Sequence, residues 1–366
     1  MRLKSITSIL AIVLLALTAC SGSNTPTEPS QTVDLATWKP EFKDGVLQPL
    51  PSGWPNSPIT LLNPDEPGSP DGIFVRAAVE AVRKVSPVKI EILDRPDFGT
   101  YGTWEALQWM AKQPGGNEGN IVVVASVVGG ALDLIATPVA DELGVTLDDF
   151  NFVIAQELTP FILTQKKNPP WGSTKFSDMV EYVRAHPGEV KYICYSPGSG
   201  RDISWTHYAQ TLGLKFKEPW ACGDGSQGIA AIIGAGEGDL GLNDPNQALI
   251  GYDAGRTDSI MVTGTEPAPE PWPDIPNGAE AAGIVDDPWG VTRGWAVTKE
   301  TPVDHRQWLF ELFKKAGEDE DFKKARLALP GTTLFTLDHD QTRAKAEAAL
   351  QYAEPILKQA GQFHGG

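Results

Sequence analysis

Three segments of this sequence place glycine and serine just ahead of a helical pattern: NPDEPGSPDG around Pro64 to Asp71, SPGSGRD from Ser196 to Asp202, and GDGSQG from Gly223 to Gly228. Glycine lets the main chain bend sharply and approach a ligand, and the helix that follows aims unpaired N–H groups at negative charge. Each segment is therefore a candidate cradle for a carboxylate. One such interaction contributes roughly 0.3 to 2 kcal/mol, so a single segment reads as a capped helix after a tight turn. Their recurrence is what points to an anion site.

Other chemistries compete for the same residues. Gly223 to Gly228 spells GxGxxG, with an acidic Asp244 about twenty residues on, as in dinucleotide sites. It falls late in a chain whose start marks it for export, where nicotinamide cofactors are scarce, so no cofactor is expected. An exported hydrolase needs a nucleophile and a base, and no GxSxG elbow is present. His207, inside the helix after the second segment, could approach Ser199, but a packed helical histidine is the plainer reading. No His or Cys pair has metal-ligand spacing. Trp104 and Trp205, near helix starts, suit either an aromatic ligand or core packing.

The elements that must position these turns alternate. Strand-like runs at 59–62, 88–93, 121–125, 152–158, 161–165, 190–195, 215–220, 239–242, 259–263 and 293–298 are separated by helical patterns at 73–85, 103–112, 176–185, 203–212 and 226–234. That order predicts an α/β fold of mostly parallel sheets with helices on their faces. Residues 304–359 are nearly all helix formers and are expected to wrap back onto the first part of the fold.

The N-terminus carries Arg2 and Lys4, an apolar run from Ile6 to Leu17, and Leu17-Thr18-Ala19-Cys20. This is the layout of a signal peptide (1–19) ending at a lipobox, with Cys20 as the site of diacylation, palmitate among the acyl groups. Residues 20–50 then read as a flexible lipidated tether. The mature chain is expected outside the cytoplasm, held on the cell membrane by lipid through Cys20. Formal net charge is −17, which argues against nucleic acid as a partner. It does not exclude an anionic ligand, since surface charge is screened beyond roughly 8 to 10 Å at ordinary salt. The remaining cysteines, Cys194 and Cys222, either pair as a disulfide between neighbouring parallel strands or stay free and buried.

At its turns the sequence resembles the extracytoplasmic solute receptors of tripartite tricarboxylate transporters. Trp54-Pro55, Pro67-Gly68-Ser69, Asp71 and Arg76 look like that family's opening block; Asp94-Arg95-Pro96 with Gly99 and Gly102, Asp148-Asp149-Phe150, RAHPGEVKYICYSPGSG, and Gly225 with Gly236 and Asp239 follow in the family's order, to beyond Gly331. The likeness implies a two-lobed fold of the type 2 periplasmic-binding-protein kind with a hinge and an interlobe cleft, lobe 1 being 51–155 plus 256–366 and lobe 2 being 156–255. It implies a monomeric receptor, not an enzyme, that binds a small organic acid and delivers it to membrane permease subunits. Gly68, Ser69, Ser199, Gly200 and Ser226 are expected to donate hydrogen bonds, and Asp71, Ser126, Gly225 and Asn243 to face the cleft. The sequence departs from the family where Ser69 replaces a second glycine and where Arg201 follows Gly200 in place of a hydroxyl. Arg201 either pairs bidentately with a ligand carboxylate or satisfies Asp202 at the surface. A secreted hydrolase, or a binding protein that feeds a sensor, is the alternative on the same fold.

Overall fold

The structure, a computed structural model, describes residues 35, 37–98, 101–196, 198–223, 225–285 and 287–364. The signal peptide, Cys20 and most of the tether lie outside the described residues. Among the described residues no helix is long and apolar enough to cross a membrane.

After a short hairpin of β1 (Phe42–Lys43) and β2 (Val46–Leu47), strands and helices alternate: β3 (Ile59–Asn63), α1 (Pro70–Val85), β4 (Ile90–Asp94), α2 (Gly102–Met110), β5 (Ile121–Ser126), α3 (Val127–Ala136) and α4 (Val139–Leu143). The chain leaves this layer along β6 (Asn151–Thr159) and enters a second with β7 (Ile162–Lys166), α5 (Phe176–Ala185), β8 (Ile193–Cys194), α6 (Gly200–Leu212), β9 (Ala221–Cys222), α7 (Gly225–Gly234), β10 (Leu240–Asn243), α8 (Pro245–Asp253), β11 (Thr257–Val262) and α9 (Gly278–Ala282). It returns along β12 (Val291–Val297) and closes with α10 (Val303–Ala316), α11 (Glu320–Leu327), β13 (Thr333–Leu337) and α12 (His339–Ala360).

Local chemistry accounts for these elements. In α1, Ser69 caps the first turn by accepting from Gly72 N, Pro70 sits where its missing N–H costs nothing, and Arg83 and Lys84 end the helix. Its buried face, including Phe74, Val75, Ala78, Val79 and Val82, recurs at helical spacing against the first sheet. β5 is apolar and buried on consecutive residues because both of its faces are covered.

The first sheet has strand order β13-β6-β12-β5-β3-β4 and the second β10-β7-β11, with β8 and β9 as a separate parallel pair. The sheets are mixed, where the sequence suggested mostly parallel ones. Only β3 with β4 and β5 is parallel in the large sheet; β12 runs antiparallel to both β5 and β6, and β7 antiparallel to β10 and β11. The cause is topological: β6 and β12 are the crossing strands, and each enters a sheet from the opposite end to its neighbours.

β6 belongs to the first sheet as far as Thr159, and β11 pairs with β7 in the second. Two strands differ from expectation: 215–220 forms no strand, and of 190–195 only Ile193–Cys194 does. The C-terminal section is not all helix, since Thr333–Leu337 forms the edge strand β13 beside β6. α10 and α11 pack on α1, but α12 touches both layers. Ala346 lies in the core under the first sheet, while Ala353, Ile356 and Leu357 pack with Trp205 and Tyr208 of the second.

Candidate functional site

Where the two layers face each other, four strand-to-helix junctions come into play. The first follows β3. Asn63 is fully buried, and its Nδ2 donates to Asp65 O at 2.8 Å and to Asp94 Oδ1 at 2.8 Å, while Asp65 N donates back to Asn63 Oδ1 at 3.2 Å. Asp94 is gripped from the other side by Arg76 at 2.6 Å. These bonds shape the turn that presents Gly68 and Ser69 at the head of α1.

The second junction is built around Asp202. Its carboxylate accepts from Tyr195 N, Ser196 N and the Tyr192 hydroxyl, and the Ser199 Oγ–H donates to it at 2.7 Å. Ser199 Oγ also accepts from Asp202 N as the cap of α6. The Ser199 hydroxyl is thus engaged within the turn, as donor to Asp202 and as cap of α6. Gly200 packs on α3, a Cβ there meeting Leu132 Cδ1 at 3.4 Å and Gly129 Cα at 3.8 Å. The negative charges of Asp65, Asp244 and Asp71 help raise the Tyr195 phenol, after burial as the largest cause, to about 12.

Arg201 finds a partner other than Asp202. It is buried, and its Nη2 pairs with Asp244 Oδ2 at 2.8 Å instead of Asp202, while Nη1 donates to Leu242 O at 3.4 Å. Its guanidinium lies over the rings of Phe161 and Tyr195, 5.0 and 4.5 Å from their centroids. The third junction begins α7 at Gly225; the side chain of Ser226 lies outside the described residues. Ser126 ends β5 opposite Arg293 in the ladder and makes no side-chain cap to α3. Asn243 is fully buried, with Nδ2 donating to Thr164 Oγ1 at 2.5 Å.

The fourth junction, at α8, is the one that the sequence did not reveal. Asp244 occupies the N-cap position, but its side chain turns to Arg201 and makes no cap. Ala248 N is the first amide bonded back to Asp244 O. The amides of Asn246 and Gln247 come before that position, where a helix start without a side-chain cap leaves N–H groups lacking intrahelical partners.

A pocket of about 30 Å3 joins this helix end to the first turn. It is lined by Gly68 and Pro70 at the start of α1, by Asp244, Asn246 and Gln247 at the start of α8, and by two arginines, Arg293 on β12 and Arg326 on α11. Two helix N-termini, those of α1 and α8, thus open on one space. Arg293 is 2 % exposed. Its Nε donates to Asp71 Oδ1 at 2.7 Å, and its Nη1 to Glu157 Oε1 and Thr159 Oγ1, each at 3.1 Å. Burial would weaken its proton affinity, but the charges of Asp71 and Glu157 outweigh that and raise it above the ordinary value. Glu157 is clasped by Arg326 through Nε at 2.6 Å and Nη2 at 2.9 Å. Burial pushes its carboxyl up, and the bonds from Arg326 with the charges of Arg293 and Arg326 bring it below the usual range.

Of the sequence-derived candidates, the structure brings Gly68 to the pocket and ties Asp71 to Arg293. Ser69 and Ser199 serve as helix caps. Arg293, Asn246 and Gln247 were missed. A lone arginine in the otherwise apolar strand VTRGWAV is the signal that could have found the first; nothing local marks the other two.

A larger pocket, about 230 Å3, opens between α6 and α12 and is lined by His207, Gln210, Thr211, Pro355, Ile356 and Gln359. It lacks a charged group, and it is away from the junctions. His207 is packed here, its Nδ1 accepting from Trp289 Nε1 at 3.2 Å, and burial lowers its pKa. Trp104 and Trp205 are fully buried core residues; Trp104 donates to Gly130 O, and Trp205 stacks on Tyr192. Cys194 and Cys222 stand opposite each other in the parallel β8–β9 pair and are joined by a disulfide.

No family model matches the sequence, and no curated protein does. Solved structures do match. The periplasmic binding protein BugD is 16 % identical, the alignment covering 85 % of this chain and 99 % of that one with a TM-score of 0.68. Rpa4515 of R. palustris, solved with adipate, is 19 % identical over 84 % of this chain and 98 % of its own, with a TM-score of 0.69. MatC of Rhodopseudomonas palustris, solved with bound malate, is 17 % identical over 83 % and 100 %, with a TM-score of 0.64. The chain therefore has the fold of the periplasmic solute-binding proteins.

Proposed function

We propose that this chain is an extracytoplasmic receptor of the tripartite tricarboxylate transporter type, which traps a small carboxylate-bearing solute between its lobes and transforms nothing. The observation that carries the reading is the convergence of the α1 and α8 N-termini on one pocket beside the buried Arg293. Backbone amides at the start of α8, where Asp244 makes no side-chain cap, suit a carboxylate. At roughly 0.3 to 2 kcal/mol for each helix end, such contacts need the added pull of Arg293 and exclusion of water. The space that joins the two helix ends is small, about 30 Å3. A solute of several carbons enters only when the lobes part, and closure over it completes the site from both sides.

The fold likeness supports the same reading, because the neighbours solved with adipate and malate hold acids on this architecture. In the cell, lipid on Cys20 would keep the receptor at the membrane surface, where it hands its solute to permease subunits. Hydrolysis is disfavoured by the Ser199 hydroxyl, which donates to Asp202 and has no histidine beside it. The test is calorimetric titration of the purified protein with adipate, malate, citrate and their neutral amides. Saturable binding of at least one acid, absent for its amide, is expected. Equal heats for acid and amide, or turnover of an ester substrate, would overturn the proposal.

A further inference from the structure

The side chains that line the pocket narrow the class of solute, an inference that rests on the receptor reading above. Arg293 and Arg326 are 2 % and 1 % exposed, and both line the space that the start of α8 also lines. Arg293 bonds to Asp71, Glu157 and Thr159 through Nε and Nη1, and Arg326 to Glu157 through Nε and Nη2. Among the described residues, Nη2 of Arg293 and Nη1 of Arg326 have no protein acceptor. A guanidinium held out of water with an N–H unmet calls for an acceptor. These two edges point to an anion independently of the helix end. The space is about 30 Å3, room for about two waters or one carboxylate group. The α8 amides and the two guanidinium edges therefore converge on one acid group and do not form separate stations for two.

Charge and the rest of the lining agree. Arg326 pairs with Glu157, Arg293 with Asp71 and Glu157, and Arg201 with Asp244, so three guanidiniums already face three carboxylates. A helix start adds only about half a positive charge, which suits one anionic group. Toward α1 the lining turns apolar, with Pro70, Ile73 and, just after α11, Leu329. Ile73 is 40 % exposed, a large apolar side chain left open beside the acid site. Among the described residues the pocket is lined by no lysine and no third arginine. The turn that leads into α1 carries Asp65, Glu66 and Asp71, so a second carboxylate on the solute would meet apolar surface and like charge.

We propose that the solute is a monocarboxylate with a hydrocarbon body, its single acid group among the α8 amides, Arg293 Nη2 and Arg326 Nη1, and its body over Ile73 and Leu329. Covering those side chains adds affinity in proportion to the apolar area removed from water. Arg326 becomes a second binding residue, and Ile73 the residue that selects against diacids.

The experiment is calorimetric titration of the full chain at neutral pH with two pairs of equal carbon number, butanoate against succinate and hexanoate against adipate. In at least one pair the monoacid should bind roughly tenfold more tightly, since the diacid must strip water from a second charge without gaining a partner. Ile73→Lys, a change at an exposed position of α1, supplies a cation where that second carboxylate would lie and should narrow or reverse the preference. The wild-type comparison stands by itself if the variant folds poorly. If the diacids bind as well as or better than the monoacids, or if Ile73→Lys folds and leaves the ratio unchanged, the inference fails and the receptor reading survives. If no acid of either kind binds, both fail together.

Discussion

Arg201 and Arg293 are both buried arginines of one cleft, and a sequence treats them very differently. Arg201 stands out, following a glycine turn, yet its partner Asp244 lies 43 residues away and no pattern in the sequence joins them. Arg293 is hidden in an apolar strand and lines the pocket together with Arg326. Residue type was legible at both positions, but pairing was not, because ion pairs across a cleft depend on long-range packing. Removing one partner of a buried pair leaves the other charge uncompensated. Arg201→Ala is therefore expected to destabilise the fold by roughly 3 to 5 kcal/mol, measured by urea denaturation, whereas Arg201→Met with Asp244→Leu should recover most of the loss. If Arg201→Ala leaves stability unchanged and only weakens ligand binding, the pairing with Asp244 is not what holds this side chain.

Among elements, the strands and helices flanking the first and second turns could be read from the sequence, since β3, β5 and α1 have strong apolar patterns and α1 and α6 have serine caps. The misses share a cause. α3 is apolar nearly all round because it is buried between the layers, so it lacks an amphipathic stripe, and β8 and β9 are too short for any pattern to emerge. That pair is held by covalent chemistry more than by its ladder. The disulfide spans 28 residues, and on a chain-entropy basis closing such a loop stabilises by roughly 3 to 4 kcal/mol. Cys222→Ser should lower the unfolding free energy by about that amount, read as a fall in the urea midpoint that reductant reproduces in the parent protein. Identical midpoints for variant and parent under oxidising conditions would contradict the bridge. The α8 junction was illegible for another reason: Asp-Pro-Asn-Gln reads as a capped helix start, and only the structure reveals that the aspartate turns away to Arg201 and leaves the cap unmade.

At the scale of the whole molecule, the formal charge of −17 and a cleft made for a carboxylate are compatible because they act over different distances. Exterior charge is screened beyond roughly 8 to 10 Å, while the amides of Asn246 and Gln247 and the guanidinium of Arg293 act within hydrogen-bonding range. The antiparallel crossing strands matter here, because β12 returns to the first sheet with Arg293 near its start, paired between β5 and β6 and lining the pocket that the α8 start also lines. α12 packs on both layers and couples them through one rigid element. The most direct test is a crystal structure of the protein with whichever acid binds tightest in calorimetry. The account predicts a carboxylate oxygen within hydrogen-bonding distance of the Asn246 or Gln247 amide, with the Gly68 turn closed over the solute and Arg293 beside it. Density for the acid in the α6–α12 pocket, or on the outer surface with the space between Gly68 and Asp244 unaltered, would contradict it.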